Sequence, residues 1–326
     1  MNLKQLNALV AVFEEGSFSA AAQRLNIVQP ALSQQIIGLE KELAVQLFER
    51  TNRGVAPTRH GQRLVNHARL ILRQMEIARN DLRTSLESEP AGDVIIALPV
   101  TVTAFLAPRL LAWLEQHYPR IRLHIVEGLS SESGHVVETG KVELGVNPNA
   151  AELDDVESIP VLREYFYLIG APDLVGPETG DIDLADAASR PLILGDRTHN
   201  MRRVIDEHVV AAGARLNLRF EQNGPKTLTS VVDQGLACII ANLPMPLPDN
   251  RTHPRLARRI VNPRVQRLMT VAWPRKRPLS RPAERVRDGL ITLMVEAARA
   301  GDWQADVVLP AEQMPALKNV MPNIVK

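Results

Sequence analysis

The sequence predicts an α/β protein in three parts: a compact helical unit at the N-terminus, a long linker helix, and a C-terminal domain of two α/β lobes. Three observations support this. Apolar side chains recur three and four apart through the first 45 residues, a heptad-like stripe runs from Leu64 to Leu82, and strand-like runs alternate with helical ones beyond residue 92. A chain of 326 residues has room for two or three such cores.

The first helix is drawn by Leu3, Leu6, Val10 and Phe13, which fall on one face and leave Lys4, Glu14 and Glu15 outside; Gly16 ends it. Ser17 or Ser19 then caps a second helix, in which Ala20, Ala21 and Ala22 permit close approach and Leu25 docks inward. Asn26 and Ile27 make a turn. A third helix starts near Gln29 and Pro30, with Leu32, Ile36, Leu39 and Leu43 as its buried stripe. Its other side carries Pro30, Ser33, Gln34 and Ile37, with Gln29 at the leading tip. Glutamine can pair with both the donor and the acceptor of adenine, and serine can serve as either partner, so this face is suited to base edges in a major groove. Spacing alone also fits an ordinary helical bundle with a polar face. The next stretch, LFERTNRGVAPTRHG, turns at Asn52-Arg53-Gly54 between two short extended pieces, which makes a hairpin, or wing, beside the third helix. Arg53 at its tip is placed to enter a minor groove, while Arg24, Lys41 and Arg50 are placed to neutralise phosphates. Any one of these arginines taken alone reads as a solvated surface charge.

The run from LKQLNALVAVFEEGSFSAAAQRLN through QPALSQQIIGLEKELAVQLFERTNRGVAPTRHG resembles the winged helix-turn-helix domain of LysR-type transcriptional regulators. The resemblance covers residues 1 to 85 closely and the remainder more loosely. It implies that base and groove contacts fall on Gln29, Pro30, Ser33, Gln34 and Arg53. Val28 departs from the family pattern, which places a capping serine or threonine before the third helix.

Thr58 can cap a long helix whose Leu64, Ala68, Ile71, Met75, Ala78 and Leu82 alternate four and three apart. Such a stripe either packs on its own domain or pairs two subunits; the resemblance implies the pairing, which would set two recognition helices on an interrupted inverted repeat. SLESEPAG, residues 85 to 92, breaks the pattern with Pro90 and Gly92. The expected organisation is a winged helix-turn-helix domain over 1–58, a linker and dimerisation helix over 59–89, an effector-binding domain over 90–302 and an extension over 303–326. Within the effector domain, lobe I takes 90–160 and 268–302, and lobe II takes 161–267.

Beyond the linker, VIIALPV, IRLHIVEG and VELGV are strands of the first lobe, the first of them followed by a helix carrying Leu106, Leu110, Leu111 and Leu114. RPLILGD, RLNLRFEQN and GLACIIANLP, with helices 201–212 and 226–234, repeat the plan in the second lobe. REYFYLIGAP and RLMTVAWP are strands that cross between lobes, a helix over 282–299 returns to the first, and the tail after Asp302 shows no pattern. A mostly parallel sheet covered by helices is expected, and the layout is similar to the periplasmic-binding-protein-like effector domain of the same family. Ligand sites in such folds lie at strand carboxyl ends and helix amino ends, where free N–H groups favour anions. That rule nominates Thr101, Thr103, Ser130, Ser131 and Asn147 from the first lobe, and Thr198, His199, Asn200, Asn223, Lys226 and Thr227 from the second. Together they would cage a small carboxylate or similar polar anion, although any one of these hydroxyls also reads as a plain helix cap. The family's usual serine-x-x-threonine appears here as Gly224-Pro225-Lys226-Thr227.

The net charge of only +1 gives no global nucleic-acid signature, so DNA affinity must come from local placement. The single cysteine, Cys238, lies in the apolar run GLACIIA and reads as a buried core residue. The amino terminus has no signal-peptide core, and no uninterrupted apolar run reaches the ~18 residues of a membrane span, so a cytoplasmic location is expected. The eight histidines show no metal-ligand spacing, and neither GxSxG nor a phosphate loop occurs, which argues against an enzyme and for no cofactor beyond a small-molecule effector. His199 and Asp196 could form an acid/base pair, but a loop histidine beside an aspartate is more often ordinary surface or pocket lining. The competing readings are a two-lobed cytoplasmic binding protein or enzyme with an accessory helix-turn-helix domain, and an exported solute-binding protein. The resemblance further implies homotetramers built from two dimers on double-stranded DNA, and contact with RNA polymerase. QPALSQQ and LFERTNRGVAPT are most similar to its nitrogen-assimilation branch, and aromatic-catabolism branches share much of both stretches.

Overall fold

The computed structural model describes residues 1–51, 54–83, 89–176, 180–242 and 255–310, a few of them by their backbone alone. The chain forms two compact units, Met1–Ser88 and Glu89–Lys326.

In the first unit, α1 (Leu3–Glu15) is capped by Asn2, whose side chain accepts from the Gln5 amide while the Gln5 side chain accepts from that of Asn2. α2 (Phe18–Arg24) is capped by Ser17, not Ser19. α3 (Gln29–Leu43) follows a turn in which Asn26 takes a left-handed conformation, one that asparagine tolerates. The hairpin of β1 (Phe48–Thr51) and β2 (Gly54–Pro57) is antiparallel, and α4 (Arg59–Arg83) closes the unit. The buried face of α1 is Leu6, Ala8, Leu9, Ala11 and Val12. Leu3 is instead exposed, and Val10 and Phe13 sit at the margin, because α2, α3 and α4 all touch α1 and bury an arc wider than one stripe. Leu43 is likewise exposed: the helix ends at Ala44 in the left-handed region, and Leu47 fills the core in its place.

Thr58 ties α4 to the hairpin. Its amide donates to Leu47 O (2.9 Å), its hydroxyl donates to Gln46 O (2.7 Å) and accepts from the Gly61 amide (3.0 Å). Gly61 is needed here because a Cβ would lie 2.0 Å from Leu47 O. Val65 and Ala68 are fully buried in this domain's core, with Leu64 and Leu72 packed against it. Ala68, expected in an intersubunit seam, therefore serves its own domain, and Leu64 is half-buried against the same core. Ile71 and Ala78 are exposed, Met75 is half-buried, and the side chain of Leu82 lies outside the described residues.

The second unit runs β3 (Gly92–Pro99), α5 (Val100–His117), β4 (Ile121–Gly128), α6 (Ser130–Glu138), β5 (Leu144–Pro148), β6 (Val156–Gly170), α7 (Pro172–Val175), β7 (Ile182–Asp183), α8 (Leu184–Ser189), β8 (Leu192–Leu194), α9 (Asn200–Ala211), β9 (Leu218–Glu221), α10 (Pro225–Asp233), β10 (Ile239–Asn242), β11 (Leu256–Val261), β12 (Gln266–Pro274), α11 (Arg281–Ala300) and β13 (Ala305–Val307). The expectation of a mostly parallel sheet is overturned. β3 pairs in parallel with β4 and β5, β7 with β11 and β8 with β9, but β12 runs antiparallel to β5 and β6, and β10, β11 and β13 run antiparallel to β6. The 15-residue β6 spans both lobes and every crossing segment pairs against it, so returning strands meet it head to tail.

Each lobe has its own core. Leu98, Leu106, Leu110, Trp113 and Met294 centre the first; Phe166, Leu192, Ile205, Val232 and Ile240 centre the second, with Cys238 among them. Leu111, on the outer side of α5, is exposed. The patternless tail is also corrected. After Gly301 turns the chain in a left-handed conformation, Trp303 is wholly buried and β13 pairs with β6. Residues 303–310 thus complete lobe I, and 311–326 lie outside the described residues.

Where the lobes meet, Glu164 on β6 and Arg267 on β12 form an ion pair (2.7 Å) with side chains 0% and 1% exposed. Glu164 also accepts from Asn242 Nδ2 and Trp303 Nε1, each at 2.7 Å, and Arg267 donates to Asn242 Oδ1 at 3.1 Å. Every polar atom of the carboxylate is matched, the condition under which a buried charge is tolerable.

Candidate DNA-reading surface and effector cleft

The reading face of α3 is open to solvent. Gln29, Pro30, Gln34, Ile37 and Lys41 are exposed and Ser33 is half-buried. Gln29 is oriented by Ser19, whose hydroxyl donates to its Oε1 at 3.1 Å. Val28 occupies the cap position without a side-chain hydrogen bond and is 70% exposed, so no side chain among the described residues caps the first turn. Arg24 is differently placed from the expectation of a free phosphate-binding charge. Its guanidinium meets Glu14 (2.7 Å) and Glu15 (3.1 Å), and Arg69 of α4 meets Glu14 (2.7 Å). These bridges brace α1, α2 and α4, and they pull the Glu14 carboxyl below its ordinary range against the opposing effect of burial. The hairpin is held to the α1–α2 turn by the Val55 amide donating to Gly16 O at 2.9 Å, an approach that only glycine at 54 permits, since a Cβ there would lie 2.8 Å from that oxygen. Arg53 and the side chain of Arg50 lie outside the described residues.

In the second unit the nominated polar residues divide between two cavities that share His199. One, of about 440 Å³, takes Thr101, His199, Asn223 and Lys226. The other, of about 210 Å³, takes Ser130, Asn147, Thr198, His199 and Asn200, together with Arg197 and Arg203. Both draw walls from both lobes. Thr103 and Thr227 line neither cavity: the Thr103 hydroxyl is turned back to Pro99 O (2.9 Å), and Thr227 is exposed on α10. The side chain of Ser131 is outside the described residues.

His199 is set by its neighbours. A Cβ on Gly195 would lie 2.9 Å from the His199 ring, so the imidazole packs directly on the glycine backbone. Its Nε2 is buried without a hydrogen-bond partner, and burial pushes its pKa below the ordinary imidazole value, favouring the neutral ring. Asp196 organises the loop before it, accepting from the Thr198 hydroxyl, the Thr198 amide (2.8 Å) and Asn223 Nδ2 (2.7 Å). These bonds, with that of the Thr198 hydroxyl foremost, hold the Asp196 carboxyl down to about 2. His199 therefore lines both cavities, as a loop histidine beside an aspartate ordinarily does, and Asp196 braces the loop; burial favours the neutral form of the ring. Thr101 Oγ1, both amide atoms of Asn147 and Asn200 Oδ1 are also buried without partners.

Sequence reasoning did not find Met201, Arg202, Ile205, Leu228 and Thr229, which wall the larger cavity. Met201 and Ile205 recur at helical spacing on α9, a pattern that in sequence reads as ordinary core. Arg202 is 6% exposed and bonded to Asp206 Oδ1, Gly195 O and Glu221 Oε2, each at 2.9 Å.

Residues 3–62 match the family profile described as bacterial regulatory helix-turn-helix protein, lysR family, and residues 87–294 match the LysR substrate binding domain. The chain belongs to the LysR family of bacterial transcriptional regulators. This LysR-type regulator is 31% identical over 244 residues to the nitrogen assimilation regulatory protein nac of Klebsiella aerogenes, covering 74% of this chain and 78% of the relative. It is 28% identical over 232 residues to the hydrogen peroxide-inducible genes activator of Haemophilus influenzae, covering 71% and 77%. Among solved structures, a full-length OxyR variant from Pseudomonas aeruginosa shares the fold with a TM-score of 0.68 at 24% identity, over 90% of this chain and 94% of that one. Full-length CbnR complexed with its target DNA shares it with a TM-score of 0.64 at 22% identity, over 89% and 99%. The regulator is thus a DNA-binding protein whose effector domain has two lobes, as its sequence predicted.

Proposed function

We propose that a small organic effector occupies the cleft and, by binding one arrangement of the lobes better than another, changes how the protein engages its operator. The observation that carries this reading is that both cavities take walls from both lobes and meet at His199, so occupancy acts on the relation between lobes. An effector can shift that equilibrium only by its difference in affinity between the two arrangements, and couplings of this kind are commonly about 5- to 150-fold. The buried Glu164–Arg267 pair supports the same reading, because Asn242 lines the larger cavity and also bonds both partners of the pair where the lobes meet.

The operator is an interrupted inverted repeat read through Gln29, Pro30, Ser33, Gln34 and Arg53, with Lys41 and Arg50 on phosphates. Homodimers, and homotetramers formed from them, hold two readers on it, and RNA polymerase is the partner through which occupancy becomes transcription. The protein works in the cytoplasm without catalysis; among the described residues no helix is long and apolar enough to cross a membrane. A thiol-based peroxide response is disfavoured. Peroxide reacts with thiolates, and burial pushes Cys238, the single cysteine, up to about 11.

Selection of bound duplexes from a random pool, followed by fluorescence anisotropy on the selected site with and without candidate effectors, tests the reading. A symmetric site whose affinity changes several-fold with at least one effector is expected. Tight binding that no cleft ligand alters would refute the sensor role.

A further inference from the structure

The wall of the larger cavity is mainly apolar. Val100 and Ala104 of lobe I face Leu194, Met201, Ile205 and Leu228 of lobe II across about 440 Å³, the size range of cavities that enclose drug-sized ligands. Three of the wall's polar groups are already engaged: Arg202 by Asp206, Glu221 and Gly195 O, Asn242 by Glu164 and Arg267, and Asn223 by Asp196. A small anion placed among them would surrender its hydration to aliphatic carbon, which is costly.

The remaining polar groups are sparse. Thr101 Oγ1 and His199 Nε2 are buried without partners, and together they would satisfy one polar atom on an apolar body. Lys226 is exposed in the first turn of α10, whose cap residue Gly224 offers no side chain, and none of the ion pairs among the described residues includes it. Lysine at a helix amino end favours one negative charge at the cavity mouth. Glu127, from lobe I, is the opposing acidic group on the lining and disfavours a second. Arg197, Arg203, Asn147 and Asn200 belong to the smaller cavity, where a purely polar anion is better matched.

We infer that the larger cavity takes an amphipathic monoanion, an apolar body inside with a single carboxylate or equivalent group at Lys226. This deepens the proposed effector reading and rests on it.

Calorimetric titration of the full chain with butyrate, hexanoate and octanoate, with octanedioate and 1-octanol as controls, tests the inference. Affinity is expected to rise about fourfold for each added methylene, the increment for burying one such group. Octanedioate and 1-octanol should bind at least tenfold more weakly than octanoate, and Ala104→Phe, which fills the cavity from an exposed helical position, should weaken octanoate at least tenfold. Lys226→Ala should weaken octanoate and leave 1-octanol unchanged. No heat with octanoate at either of two temperatures, a series independent of length, tighter octanedioate, or insensitivity to Ala104→Phe in a folded variant would each overturn it. Anisotropy on the selected operator separates this outcome from the broader one: octanoate that binds with the expected length dependence but leaves DNA affinity unchanged counts against the sensor reading and not against the cavity assignment.

Discussion

Replacing Glu164 by glutamine removes a charge and almost no volume from the junction of the lobes. The substituted side chain could still accept from Asn242 and Trp303 through its one oxygen, but its amide nitrogen would face Arg267 Nε, donor against donor, where the carboxylate now accepts at 2.7 Å. With Arg267 only 1% exposed, its charge would have no counterion and no water. Breaking a buried pair in this way costs about 3–5 kcal/mol. All three tryptophans, Trp113, Trp273 and Trp303, lie in the effector unit, so intrinsic fluorescence in urea follows that unit's unfolding. With a urea slope of about 3 kcal/mol/M, the upper end for small proteins, the midpoint should fall by about 1 M or more. The double variant Glu164→Gln with Arg267→Met removes the stranded charge and should recover part of the loss. A midpoint shift below about 0.3 M for Glu164→Gln, or a double variant no more stable than the single, would refute the view that the uncompensated guanidinium carries the cost.

Three further outcomes follow from the geometry. Val28→Thr supplies the missing cap on α3 and should stabilise the DNA-binding unit by about 0.5–2 kcal/mol, seen as a higher thermal midpoint by far-ultraviolet circular dichroism; an unchanged or lower midpoint would show that the first turn needs no cap. Gly195→Ala pushes a methyl group into the His199 ring and should weaken octanoate binding several-fold in calorimetry while sparing operator affinity. Because burial holds His199 below the ordinary imidazole value of about 6.5, the unfolded chain takes up a proton there before the folded one does. The stability contributed by this site is therefore complete above about pH 6.5 and is lost as the pH falls toward the folded value; a pH series of urea midpoints should show a slope in that window that His199→Gln reduces.

The helix-turn-helix unit was legible because its signals are local: Ser17, Asn26, Pro30 and Gly16 each punctuate the chain where the physical rules place them. The same rules missed features that depend on distant partners. The antiparallel direction of β12 against β6 is set by connections nearly a hundred residues long, and the ring of Trp303 meets Glu164 of β6 and Phe105 of α5, both far away in sequence. Leu64 and Ala68 satisfy a heptad pattern equally well in a dimer seam or in their own core, and periodicity cannot distinguish the two. The cleft was nominated from polar loops, which found His199 and Lys226, but its apolar walls come from faces of α9 and α10 that resemble any buried helix face. Thr103 lines neither cavity for a different reason: a helical threonine readily bonds its own preceding turn, and here it bonds Pro99 O.

The most direct test of the DNA-reading surface is duplex selection performed in parallel with the native chain and with a Ser33→Ala, Gln34→Ala variant. The native protein should enrich a two-fold symmetric motif, and the variant should retain phosphate-driven binding with that motif blurred at the same position in each half-site. Recovery of an identical motif by both proteins would contradict the placement of base recognition on α3.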